Sequence, residues 1–199
     1  MSEPTMNAAG REAAWELLCE WTSSDSLRKH ALAVEASMQA YARIQDADEE
    51  LYAITGLLHD LDYERFPDAE TGHPRMGIEE LRSRGYPDDV LQAIAGHADY
   101  LEVPRESELA KTLYAVDELS GFVMACALVR PTGIEGLKVK SVRKKLKQPS
   151  FAAKVDREQI RRGIEELGVD EGEHITVVIG ALSDRAEELG LTAAQVEAS

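Results

Sequence analysis

Six residues in the first two thirds of the chain are of the types that hold metals: His30, His59, Asp60, His73, His97 and Asp117. Their spacing matters more than their identity. His30 lies three residues after Leu27 and four before Val34, which puts it on the apolar stripe of a helix. His97 stands likewise three after Ile94 and four before Leu101. Asp117 follows Leu113 by four in the most hydrophobic helical stretch of the sequence, and His59-Asp60 closes a helix whose Leu57 and Leu58 read as buried. His73 precedes Pro74 at a helix start. An ionised carboxylate buried without partners costs several kcal/mol even after relaxation. One such residue is read most simply as a satisfied polar group in a core. Several successive helices, each aiming an imidazole or carboxylate inward, are explained together by one shared site for first-row divalent ions. Asp62, Asp99 and Glu118 are nearby acids able to fix imidazole tautomers, and each also suits a plain surface position.

The elements that must position these residues are helical almost throughout. Glu12 to Trp21 is amphipathic, and Ser24 or Asp25 caps a helix running to about Ile44. Asp48 caps the next helix, Pro74 opens another, and Gly85-Tyr86-Pro87 ends it. Val90, Leu91 and Ile94 mark a helix that Pro104 breaks, and Ser107 to Val129 reads as one long apolar helix. Glu158 to Leu167 and Glu173 to Leu189 read as closing helices, although the β-branched run Ile175 to Ile179 also suits a strand. The expected fold class is all-α: a helical core over residues 1–129, with a basic segment and closing helices over 130–199 packed on it as a C-terminal appendage.

Composition narrows the functions. The 199 residues carry a net charge of −15, and 30% are charged. Such an acidic chain is a poor partner for bulk nucleic acid or an anionic membrane. No apolar run is long enough to span a bilayer, and Met1 to Gly10 has neither a basic nor an apolar region of a secretory signal, so a cytoplasmic location is expected. Cys19 and Cys126 sit among apolar residues and read as buried thiols. The charge is uneven. Arg130 to Arg162 holds eleven Lys/Arg against three acids, a local +8, and leaves −23 for the remainder. That stretch admits two readings, a solvated basic face or a site for a phosphate or acidic partner. His174 reads as a surface or helix-start residue; Trp15, Trp21, Tyr41 and Tyr114 read as core. Tyr63 and Phe66 follow the His-Asp pair into a loop, where packing is favoured over a role in walling a pocket.

The ordered set His30, His59-Asp60, His73, His97, Asp117, with the strings Leu57-Leu58-His59-Asp60-Leu61-Asp62 and Ala115-Val116-Asp117-Glu118, resembles the HD superfamily of metal-dependent phosphohydrolases over about residues 25 to 125. The resemblance implies an HD-domain helical bundle in which His30, His59, Asp60 and Asp117 hold a first divalent ion. His73 and His97 match the extra histidines of the two-metal branch, with Asp60 bridging. It implies hydrolysis of a phosphate ester, of a nucleotide or similar small phosphorylated molecule, through a metal-bound hydroxide, with His59 and Asp60 at the catalytic centre. Two ions per chain are expected, of Mn, Fe, Co, Ni, Zn or Mg, because a mixed nitrogen and oxygen set is permissive. Arg75 and Lys111 are candidates to seat the phosphate, as are Lys138 and Lys140 if the basic segment folds over the site. The tripeptide Gly85-Tyr86-Pro87 invites comparison with the cyclic-dinucleotide phosphodiesterase branch, but it precedes His97 and lacks that branch's wider string. The layout is more similar to small bacterial HD hydrolases, including those acting on dinucleoside polyphosphates. Two other readings share the ligand set: a nucleotide-sensing module without turnover, and a di-iron oxygenase of the HD type. The oligomeric state is open.

Overall fold

The computed structural model describes residues 10–198. The expectation about the start of the chain lies outside them, save for Gly10. The helices in chain order are α1 (Arg11–Trp21), α2 (Asp25–Gln45), α3 (Glu49–Leu58), α4 (Arg75–Ser83), α5 (Asp88–His97), α6 (Glu108–Leu128), α7 (Val139–Leu146), α8 (Arg157–Leu167), α9 (Glu171–Asp184), α10 (Ala186–Leu189) and α11 (Ala193–Glu197). A 3₁₀ turn, Asp99–Leu101, follows α5. The described residues contain no strand, and the fold is an all-α bundle. None of the described helices is long and apolar enough to cross a membrane.

The expected caps operate. The Ser24 hydroxyl accepts from the Leu27 N–H and Asp48 from the Glu50 and Leu51 N–H groups, and Ser107, at the expected start of its helix, also proves to be a cap, accepting from the Ala110 N–H. Each satisfies orphan donors of a first turn, worth about 1 kcal/mol apiece. One alternative is settled, and two details differ from the sequence pattern. Ile175 to Ile179 lies inside α9, where Ile175 and Val178 are buried on one helical face. The β-branched run is also three-to-four periodic, and with no neighbouring strand to pair with, helix wins. The helix that Pro104 was expected to break already ends at His97. Cys19 is half-exposed, and only Cys126 is buried.

Two 21-residue helices, α2 and α6, form the axis of the bundle. α3 packs along α2, α5 and α8 along α6, and α9 against both α2 and α6. Met38, Leu57, Leu58, Leu61, Leu113, Leu119 and Phe122 are essentially inaccessible in the core between them. Burial contributes about 1.5–3 kcal/mol for each large side chain. Close approach of α3 to α2 depends on Gly56, where a Cβ would lie 2.9 Å from Met38 Cγ and 3.0 Å from the Glu35 backbone.

Glu35 is 1% exposed in α2. Its carboxylate receives Arg11 Nε at 2.7 Å and Arg11 Nη2 at 3.0 Å from α1, and Arg185 Nη1 at 2.9 Å from the end of the bundle. Residues far apart in the chain thus meet on one buried charge. The residues after 129 pack on the same axis through α8, α9 and α7.

Candidate metal centre

His59 and His97 occupy equivalent places on two helices. Each ends its helix, and each donates from Nδ1 to the carbonyl three residues back, Gly56 O at 2.7 Å and Ile94 O at 2.5 Å. A carbonyl can only accept, so both rings carry their hydrogen on Nδ1 and turn a bare Nε2 lone pair outward from the helix end. His73 is held from outside its own turn. Its Nδ1 lies 2.7 Å from Asp62 Oδ1, and the other Asp62 oxygen accepts from Gly77 N at 2.7 Å. Gly77 allows this approach, since a Cβ there would stand 3.2 Å from Asp62 Cγ. Asp62, fully buried, thereby fixes the third imidazole in the same tautomer.

The freed nitrogens converge on Asp60. One oxygen, Oδ2, lies 3.4 Å from His59 Nε2 and 3.8 Å from His30 Nε2. The other, Oδ1, lies 3.4 Å from His73 Nε2 and 3.5 Å from His97 Nε2. His30, His59 and Asp60 therefore form one group able to hold a cation, and Asp60, His73 and His97 a second. Asp117, from the middle of α6, adds an oxygen 3.1 Å from His30 Nε2 and 3.4 Å from His59 Nε2.

The donors are arranged for an ion, as two observations attest. His59 Nε2 is buried and has no hydrogen-bond partner. The Nε2 atoms of His73 and His97 stand 3.2 Å apart, and in the tautomers just assigned both are acceptors. A cation between them and Asp60 converts that opposition into ligation. The electrostatics agree. Burial disfavours charge on His59, yet Asp60 and Asp117 outweigh it and raise its pKa well above the usual imidazole value, so the acids that would stabilise a cation at Nε2 stabilise a proton there when no ion is bound. Burial likewise acts against ionised Asp60 and Asp117. The facing His59, His97 and His73 hold Asp60 well below the carboxylate range, and His59 and His30 do the same for Asp117. Glu118, beside Asp117, is pushed up to about 7 by its burial and by that neighbouring charge.

These groups open into a cavity of about 510 Å³. Its wall includes Tyr63, Tyr100, Asp99, Glu118, Asp156 and Gln159, and no Lys or Arg. Tyr63 stands edge-on to His73, with ring centroids 5.3 Å apart, so it walls the pocket instead of only packing a loop. Tyr100 donates to the His73 carbonyl at 2.8 Å. The six inward residues are thus brought together, whereas the four cations expected to seat phosphate are not among the wall residues. Lys111 pairs with Glu108 on its own helix, 3.5 Å away. Lys138 and Lys140 are exposed at the start of α7, which lies against α6 and α9. Arg75 donates to the carbonyl of Ala69, a wall residue, and comes nearest to the mouth. Of the three acids proposed as supports, only Asp62 holds an imidazole. Asp99 is taken by Arg105, Arg162 and Tyr114, and Glu118 by the Asp156 N–H. Asp156 and Gln159 carried no sequence signal, because they reach the site only when α8 folds across α6.

Residues 27–121 match the sequence model of the HD domain. This stretch of the chain is an HD domain. It is similar to ribonuclease Y of Oleidesulfovibrio alaskensis, with 32% identity over 98 residues, 49% of this chain and 18% of that protein. Ribonuclease Y of Lactobacillus gasseri and that of Lactobacillus acidophilus are 37% and 38% identical over 73 residues, 37% of this chain and 13% of theirs. The chain thus spans less than a fifth of the length of these relatives. No solved structure matches it.

Proposed function

We propose that this protein is a metal-dependent phosphohydrolase that uses two divalent ions to cleave a phosphate ester in a small phosphorylated molecule of the nucleotide class. The reading rests on one observation above all: the two oxygens of Asp60 face two separate histidine groups. His30, His59, Asp60 and Asp117 would hold the first ion, and Asp60, His73 and His97 the second. Such ions supply Lewis acidity toward a phosphoryl oxygen and lower the pKa of water. The protein's own part is positional. The carbonyls of Gly56 and Ile94 and the Asp62 carboxylate keep three imidazoles aimed before any ligand arrives, so little reorganisation is left to the reaction. The wall carries Asp99, Glu118 and Asp156 and no cation, which favours a substrate with a single phosphoryl group over a long polyanion. Tyr63 and Tyr100 supply apolar surface for the rest of the substrate.

A second reading, cleavage of a phosphodiester in RNA, draws its support from the likeness to proteins named ribonuclease Y. Elemental analysis of the purified protein, coupled to turnover of a phosphomonoester, nucleotide and RNA panel with Mn, Fe, Co, Ni, Zn and Mg, tests both. Two ions per chain with nucleotide turnover is the expected result. RNA cleavage without nucleotide turnover would replace the first reading by the second. Tight nucleotide binding with no turnover under any metal would mark a sensing module instead.

A further inference from the structure

The +8 stretch brings Asp156 and Gln159 to the wall of the metal centre but none of its cations. It builds a second cavity, of about 360 Å³, at the far end of α6. The wall consists of Cys126, Val129, Arg130, Leu137, Ser141, Lys144, Lys145 and Gln148. Its polar groups are the donor-bearing side chains of Arg130, Ser141, Lys144, Lys145 and Gln148, and among the described residues no carboxylate lines it. In a chain with 37 acidic residues and a net charge of −15, that exclusion is specific. All of these side chains but Arg130 are also unspent. Among the described residues, the Lys144 ammonium, the Ser141 hydroxyl and the Gln148 amide make no side-chain hydrogen bond or ion pair, and Lys145 makes only a contact with the Phe151 ring, 4.2 Å from its centroid. Arg130 is committed through Nε and Nη2 to the turn that follows α6, donating to Gly133 O, Thr132 Oγ1 and Glu135 O, which fixes its guanidinium at the cavity edge. One side of the cavity is apolar, and there Val129 is 58% exposed next to Leu128 at 46%.

We propose that this cavity binds an oligophosphate, two or more phosphoryl groups in series, at Arg130, Lys144 and Lys145. Three cations in one concavity outnumber what a single carboxylate or phosphate monoester can neutralise, and charge-assisted hydrogen bonds to phosphate oxygens suit both lysine and arginine. The size is that of a small-ligand pocket. A long nucleic acid strand is disfavoured, because the rest of the chain carries −23 and repels a polyanion that extends beyond the cavity. The chemistry is shared by free inorganic oligophosphate and by a nucleoside triphosphate, whose base could lie on the Val129 side.

The test is calorimetric titration of the full-length protein with inorganic tripolyphosphate and, separately, with ATP. Saturable binding of tripolyphosphate is expected, weakened about tenfold or more in Lys144→Gln/Lys145→Gln, since each lost charged contact at a solvent-open cavity is worth about a few-fold. Lys144→Gln alone removes no contact of the fold and is expected to weaken binding severalfold. Lys138→Gln/Lys140→Gln, which alters exposed cations off the cavity, and Asp60→Ala, which disables the metal centre, are expected to leave affinity within about twofold. ATP binding more tightly than tripolyphosphate would identify a nucleotide as the ligand; equal affinity would identify the bare phosphate chain. Absence of saturable binding, equal weakening by the two lysine pairs, or loss confined to Asp60→Ala would each overturn the proposal.

Discussion

His59 and His174 are both inaccessible to solvent, and they behave oppositely. His174 sits between α9, α2 and α6 with both nitrogens occupied. Its Nε2 donates to the Ala115 carbonyl at 3.0 Å, and its Nδ1 accepts from the Tyr41 hydroxyl at 2.5 Å. Burial keeps it neutral and lowers its pKa. His59 has one nitrogen occupied by Gly56 and the other bare, facing Asp60 and Asp117, which raise its pKa. Burial alone therefore does not mark a ligand. What marks one is a buried imidazole whose second nitrogen faces acids instead of a neutral partner. The sequence pattern assigned His174 to a surface or helix start, and the structure corrects this: it closes a polar contact in the core, and it was obscured because Tyr41, its partner, lies 133 residues away.

Substitutions at the two places should separate the two kinds of histidine. Asp60→Ala, at the carboxylate shared by both ligand groups, is expected to strip both ions and to lower phosphoester turnover by about 10³-fold or more, as the loss of several kcal/mol of metal assistance requires. His97→Ala should remove mainly one ion. Metal content by elemental analysis beside kcat checks both, and full retention of metal in Asp60→Ala would break the contrast. His174→Ala should do the reverse. It leaves a cavity and two unsatisfied polar groups, an expected loss of about 3 kcal/mol, seen as a Tm lower by about 6–12 °C. Metal content should not change.

Asp62→Asn sharpens the comparison from the other side. It weakens the support that holds the His73 tautomer, and metal affinity at that group should fall about 10–100-fold while Tm moves little. The smallest effect is on pH dependence. Because the folded-state pKa of His174 is depressed, its contribution to stability is complete above about pH 6.5, the unfolded value, and is lost as pH falls below it. The gap in unfolding free energy between wild type and His174→Gln, read from urea titrations, should therefore narrow between pH 7.5 and 5.5, by up to about 1 kcal/mol. A constant gap would mean that His174 does not titrate differently on unfolding.

Much of the helical frame was legible because caps and apolar stripes are local. Ser24, one of the two caps offered for its helix, and Asp48 cap where the sequence places them, and Ser107 stands at the helix start the sequence gives. The six inward residues were legible because their side chains contradict the stripes they occupy. The wall was not. Tyr100, Asp156 and Gln159 join it through the turn after α5 and the crossing of α8 over α6, neither of which has a local signature. The phosphate-seating cations were misplaced for the same reason. Charge content pointed to Lys138 and Lys140, but the direction in which α7 leaves α6 carries them away from the cavity.

The ion triplet at Glu35 bears on how the chain can be cut. The HD segment, residues 27–121, contains the carboxylate but neither guanidinium that neutralises it. A fragment trimmed to that segment would lose both partners of this carboxylate and would uncover the faces of α2 and α6 on which α9 packs, so it is expected to be less stable than the whole chain. The stretch that can be recognised by family likeness is therefore shorter than the stretch over which buried charges are neutralised, and the flanking helices are expected to be needed for a stable fold.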